Sequence, residues 1–169
     1  MVEKTRCRAC GYYHVGPVPD QCPVCGAPAS MFAEYEGPGD ISGTKTFANL
    51  EAAFAGESQA NRMYTLFRRI AEVEGAPQSV LDAFDRAARE ETAHALGHLA
   101  YMGKFGDTAA NLETAAHGEN YECEDMYPSF AATAEEEGLS DIAFYFRSVG
   151  RFEQQHRDGY RAAGEELAG

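Results

Sequence analysis

Positive charge is scarce in this chain. Its 14 Lys and Arg stand against 27 Asp and Glu, for a formal net charge of -13 over 169 residues. A surface of that sign repels phosphate backbones and anionic lipid, which argues against nucleic acid or a membrane surface as partners. Apolar runs long enough to span a bilayer are absent, and the opening residues, Met1 to Cys7, lack the apolar core of a secretory signal. A cytoplasmic protein is expected. The Gly-x-Gly-x-x-Gly fingerprint is missing too, so no dinucleotide-binding unit is expected.

The chain does contain five cysteines, four of them in a telling pattern: Cys7-x-x-Cys10 and, after eleven residues, Cys22-x-x-Cys25. Two Cys-x-x-Cys hairpins at this separation build a tetrahedral sulfur cage for zinc or iron. A disulfide framework would want a secreted chain and an even count. Cys123 stands apart and is expected to be a small buried apolar residue. Residues 1–36 are rich in Gly and Pro and too few to hold a core without metal. Residues 37–45, with Gly37-Pro38-Gly39, form a linker, and residues 46–169 are helical.

The helical part says the same thing twice at an offset of 62 residues. Asn49-Leu50-Glu51 and Gly56-Glu57 return as Asn111-Leu112-Glu113 and Gly118-Glu119. Thirty-four residues beyond each of Glu57 and Glu119 comes a Glu-x-x-His, namely Glu91 to His94 and Glu153 to His156. Residues three apart share a helix face, so each Glu-x-x-His aims a carboxylate and an imidazole at one point. One Glu from each of two helices, with Glu-x-x-His from each of two others, is the ligand set of a di-iron or di-manganese bundle. Apolar spacing and helix stops predict four helices: about Thr46–Glu74, from after Pro77 to near Gly103, from about Ala109 toward Gly138 with a possible kink at Pro128, and from Ser140 onward. Glu57, Glu91, His94, His98, Glu119, Glu122, Glu153 and His156 fall on their inward sides. Burying even one unpaired carboxylate costs several kcal/mol, so five converging in a core require cations.

A four-cysteine knuckle joined to this bundle resembles the rubrerythrins, and its order, knuckle first, resembles the reverse rubrerythrins. The likeness covers nearly the whole chain and includes Phe54-Ala55-Gly56-Glu57-Ser58-Gln59-Ala60 and Met126-Tyr127-Pro128-Ser129-Phe130. Cys7-Arg8-Ala9-Cys10-Gly11-Tyr12 and Cys22-Pro23-Val24-Cys25-Gly26 are similar to rubredoxin loops. The resemblance implies a ferritin-like four-helix bundle behind a rubredoxin-like domain, with one iron held by Cys7, Cys10, Cys22 and Cys25 and two irons in the bundle. By the same likeness Glu91 and Glu153 bridge both metals, Glu57 completes one, and Glu119 with His156 completes the other. Glu122, whose counterpart at the offset is Ala60, would alternate with His94 as a ligand. Tyr64 and Tyr127 match family tyrosines that hydrogen-bond to ligating carboxylates, whereas His98 has no matching family residue.

The implied activity is a non-haem peroxidase that reduces hydrogen peroxide to water in defence against oxidative stress. Its electrons would come from an NAD(P)H-dependent reductase or a rubredoxin. The alternatives are a ferroxidase or iron-storage protein and an oxygen reductase acting at the same pair. Assembly follows from a short connection. In ferritin-like bundles the second and third helices run parallel, yet the stretch from Gly103 through Asn111 is only nine residues, a reach of ~30 Å against a need of more than ~22 Å. A homodimer is expected, and one that exchanges helix pairs relieves that strain where an unswapped dimer, the alternative, does not.

Overall fold

A computed structural model describes residues 3–169. The chain is mostly helical behind a small strand knuckle, the architecture expected from the pattern. It divides by packing into two compact units, Met1–Lys104 and Phe105–Gly169.

The first unit begins with three short antiparallel strands, β1 (Lys4–Cys7), β2 (Tyr13–Val15) and β3 (Phe32–Glu34), in the order β2-β1-β3. Cys7 closes β1 opposite Phe32. The two cysteine loops are built alike. Gly11 and Gly26 each follow the second cysteine of a pair at φ of 81° and 73° and return their N–H to the carbonyl of Cys7 or Cys22. That backbone region is open mainly to glycine, which is why Cys-x-x-Cys is followed by Gly both times.

Two long helices complete this unit, α1 (Lys45–Val73) and α2 (Gln78–Met102). The Thr44 hydroxyl caps α1 by accepting from the Phe47 N–H at 3.0 Å, and Gly75, at φ 72°, ends it. Pro77 opens α2. The two helices pack closely because their contact is largely alanine: Ala71, Ala93, Ala95 and Ala100 are buried beside Leu81 and Met102. Asn61, also buried, pins them by donating to the Ala88 carbonyl and to the Thr92 hydroxyl.

The second unit holds α3 (Thr108–Tyr121), α4 (Tyr127–Glu136) and α5 (Ser140–Ala168). Asp107 caps α3 through the Ala110 N–H. A single π-helical turn, Glu122–Met126, carries α3 into α4, with the Tyr127 N–H bonded to the Glu122 carbonyl. The irregularity expected at Pro128 therefore lies just before it, and the proline sits in the first turn of α4, where a missing N–H costs little. Ala116 of α3, Ala131 and Ala134 of α4 and Ala143 of α5 are buried where these helices pack together.

Small buried residues leave many large ones uncovered. Met63, Leu66, Ile70 and Leu96 are exposed in the first unit, and Phe144, Tyr145 and Phe152 in the second. No described helix is long and apolar enough to cross a membrane.

Candidate metal centres

The four cysteines of the knuckle meet at one point. Their sulfurs all lie within 4.8 Å of one another, with Cys7 Sγ 3.8 Å from Cys25 Sγ and Cys10 Sγ 3.6 Å from Cys22 Sγ. A tetrahedral metal with bonds of ~2.3 Å has sulfur–sulfur edges of ~3.8 Å, so the cage has the size such an ion needs. Burial would raise the Cys7 thiol, but the N–H groups of Ala9 and Cys10 more than offset it and bring it down to about 7. Burial and the neighbouring thiols push Cys10 up to about 12, and burial raises Cys22 as well. Four sulfurs held this close share protons poorly, and a cation replaces those protons with a stronger attraction.

The helices bring six of the seven bundle residues into two matching clusters. In the first unit Glu57 of α1 meets Glu91 and His94 of α2, and in the second Glu119 of α3 meets Glu153 and His156 of α5. His94 Nδ1 lies 3.1 Å from Glu91 Oε2, and His156 Nδ1 lies 2.7 Å from Glu153 Oε2 and 3.7 Å from Glu119 Oε1. The carboxylates are half-buried, while the imidazoles remain accessible. The hydrogen bond to Glu91, together with burial, raises the Glu57 carboxyl, and the same bond followed by His94 lowers Glu91. Burial and the charge of Glu153 raise Glu119. Each cluster is thus a pair of carboxyls crowded enough to need a positive charge.

Glu122 lies outside these tight clusters, on the first residue of the π turn. Its charge still raises both Glu119 and Tyr127. The two repeats part at this place, since α1 runs unbroken through Ala60. Burial first, then the charges of Glu122 and Glu153, raise the Tyr127 hydroxyl, which places it beside the second cluster. Tyr64 is packed by its ring against Phe67 and Phe84. Among the described residues neither tyrosine hydroxyl is hydrogen-bonded to a carboxylate.

Several supporting residues escaped the sequence reading. Asn61 is four residues after Glu57, and its partner Thr92 adjoins Glu91, so it ties the first cluster's two helices together. Arg157, next to His156, is buried and donates to Glu124, Asp158 and Asn120. A cationic residue next to a candidate ligand was the available signal. Cys123, expected to be fully buried, is half-buried and lies 3.5 Å from the Arg157 guanidinium.

Comparison with known proteins decides the family. Residues 48–164 match the rubrerythrin family model, and residues 6–33 match that of the rubrerythrin rubredoxin-like domain. The chain belongs to the rubrerythrin family. It is 42% identical over 135 residues to a rubrerythrin of Porphyromonas gingivalis, covering 72% of this chain and 67% of that protein. Rubrerythrin-1 of Clostridium acetobutylicum is 40% identical over 139 residues, covering 72% and 71%. Reverse rubrerythrin-1 of the same organism is 33% identical over 138 residues, covering 73% and 76%. The four-cysteine cage and the two glutamate–histidine clusters fit the iron cofactors of rubrerythrins.

Proposed function

We propose that this rubrerythrin is a non-haem peroxidase of the reverse type that reduces hydrogen peroxide to water. The observation that carries the reading is the presence, in one chain, of a four-sulfur cage and two matched glutamate–histidine clusters. The order of the matched segments, residues 6–33 before residues 48–164, supports the reverse type. Residues 1–36 would form the electron-entry domain, 37–45 the linker and 46–169 the di-iron domain. When bound, a pair of ferrous ions supplies two electrons together to the peroxide O–O bond, and a single iron in the sulfur cage renews them one at a time.

The chain's own residues supply the rest. Cys7, Cys10, Cys22 and Cys25 hold the single iron, while Glu57, Glu91, His94, Glu119, Glu122, Glu153 and His156 hold the pair. Glu91 and Glu153, each flanked by its own histidine, would take the bridging role. Glu122, on a π turn of the kind often found at functional sites, would alternate with His94 as a ligand. Tyr127 Oη keeps its proton beside Glu122 and Glu153 and can donate it in a hydrogen bond to either carboxylate. Reduced nicotinamide serves as the electron source through a separate reductase or rubredoxin.

The assembly proposed is a homodimer in which α1 and α2 of one chain meet α3, α4 and α5 of its partner. Only five residues, Gly103 to Asp107, join α2 to α3. From His94 to the end of α2 is ~12 Å of helix, and from the start of α3 to Glu119 is ~16 Å. If these helices run parallel with their ligands level, the link must return ~28 Å, whereas six Cα steps reach ~21 Å. Exchange between chains removes this conflict and covers the exposed apolar faces.

Stopped-flow reoxidation of the fully reduced, iron-loaded protein tests the activity. Peroxide is expected to reoxidise it much faster than oxygen does, at three irons per chain. Reoxidation by oxygen alone would favour an oxygen reductase, and iron uptake far beyond three would favour storage.

A further inference from the structure

We infer that each cysteine knuckle is committed to the Glu57–Glu91–His94 cluster of its own chain, with Tyr101 as the positioning residue. The inference deepens the peroxidase reading and rests on it. A cavity of about 310 Å³ within the first unit is lined by Cys10 and Tyr12 from the knuckle and by Glu57, His94 and His98 from the helices. One ligand of the sulfur cage and two of the first cluster therefore border the same space. Gly97 also lines it, and a Cβ there would meet nothing within 4 Å, so the helix face opposite the cysteine loop is left open.

A three-residue clasp holds this arrangement. Arg6 Nη1 donates to the Tyr101 hydroxyl at 2.9 Å. The Tyr101 ring meets that of Tyr35 edge-on at 5.3 Å, and the Arg6 guanidinium lies over the Tyr35 ring at 6.0 Å. These are favourable geometries for an aromatic pair and for a cation over a π face. The placement in sequence matters as much. Arg6 precedes the ligand Cys7, Tyr35 follows the strand that pairs with Cys7, and Tyr101 lies seven residues beyond His94 on the same helix. Seven residues of α-helix are a rigid rod of ~10 Å, so fixing Tyr101 to Arg6 fixes the cysteine loop relative to His94. Each turnover converts one hydrogen peroxide, two protons and two electrons into two waters, with the electrons originating in reduced nicotinamide. The clasp determines which chain's cluster receives them.

The pairing can be read without turnover. Zinc-loaded protein assembled from equal amounts of isotope-labelled and unlabelled chains should show nuclear Overhauser contacts between the Tyr35 and Tyr101 rings within labelled chains only. Contacts from labelled to unlabelled chains would overturn the inference. The electron route is read from mixed dimers, using the visible band of the cysteine-bound iron. A Cys22→Ser chain paired with a Glu91→Ala chain has an intact knuckle and an intact cluster on different chains. After reduction, its knuckle iron should stay reduced when peroxide is added. A wild-type chain paired with a chain carrying both changes should be reoxidised at one knuckle. Rapid reoxidation in the first mixture would refute commitment to the same chain. Tyr101→Phe should slow reoxidation by about tenfold, since small misplacements of reacting groups carry costs of that order, at unchanged iron content and band position. A wild-type rate would remove Tyr101 from the positioning role. Should even wild-type homodimers resist peroxide, the peroxidase reading fails, and the ring contacts still decide the pairing.

Discussion

Asn61→Ala tests whether the first cluster is held by a side-chain pin between α1 and α2. Asn61 is 7% exposed, and its amide donates to the Ala88 carbonyl and, at 2.8 Å, to the Thr92 hydroxyl. The Ala88 carbonyl also accepts from Thr92 at 3.0 Å, so the mutation leaves no wholly orphaned acceptor. Arg62, which donates to the Asn61 oxygen, is exposed and turns to water instead, so the loss is near the net worth of the two buried donations, ~2 kcal/mol, with up to ~1 kcal/mol more for the space vacated. For a chain of this length that lowers Tm by ~4–12 °C. Metal-free protein followed by far-ultraviolet circular dichroism gives the number. Asn61→Asp is the control, because it keeps the acceptor for Arg62 but loses both donors, and should cost about as much at neutral pH. Because Glu57 lies one turn before the pin and Glu91 beside its partner, metal affinity of the first cluster should also fall by about tenfold or more. A stability change below ~0.5 kcal/mol would refute the reasoning, since it would mean that alanine packing alone sets the register.

Cys22→Ser should abolish the visible colour of the knuckle iron while the helices keep two metals, as measured by iron analysis and absorption. Loss of bundle metal as well would contradict the division of labour. Glu91→Ala and Glu153→Ala should each lose both bundle metals, whereas Glu122→Ala should keep two and change only peroxide reactivity. Equal metal loss in all three variants, by elemental analysis, would show the bridging and alternating roles to be misassigned. Zinc affinity of the knuckle should rise from pH 6 to pH 8. The thiols of Cys10, raised to about 12, and Cys22, also raised, hold protons that the metal must displace, and a lower pH strengthens that competition. Competition titrations with a chromophoric chelator read the slope, and an affinity independent of pH would mean that the sulfurs bind without releasing protons.

The features legible in the sequence were those written locally or twice. Cys-x-x-Cys-Gly is a complete instruction for a loop, because spacing, sulfur and left-handed glycine lie within five residues. Glu-x-x-His needs only helical periodicity to bring both groups together, and the 62-residue repeat marked both clusters. Features that depend on tertiary contact stayed hidden. The π turn at Glu122–Met126 has no periodic signature, because its register is set by packing against α5. Asn61 in the sequence is one polar residue among many, and nothing near Arg6 points to Tyr101, which is 95 residues away. Gly56 and Gly118 both precede a cluster glutamate, and a Cβ at either would meet nothing within 4 Å, so crowding inside its own unit is not the reason for them.

The proposed function joins metal loading to assembly. Each cluster alone has two carboxylates and one accessible histidine, a charge that water at an open surface screens well. Closing the two clusters against each other would remove that water and bring Glu57, Glu91, Glu119 and Glu153 together, at a cost of several kcal/mol for each uncompensated charge. Two ferrous ions, if held there as proposed, would carry the positive charge that balances these four carboxylates. Apolar faces would draw the helix pairs together while unbalanced carboxylates hold them apart, so iron tips the balance and association should strengthen with loading. The same charge count would give the proposed role of Glu122 a reason. Oxidation of a bound pair would add positive charge that four carboxylates no longer match, and Glu122 in place of His94 would supply a further negative charge. A fifth carboxylate fixed permanently in place would oppose reduction. Its position on a π turn, one turn beyond Glu119 and outside the tight cluster, is compatible with the exchange proposed for it.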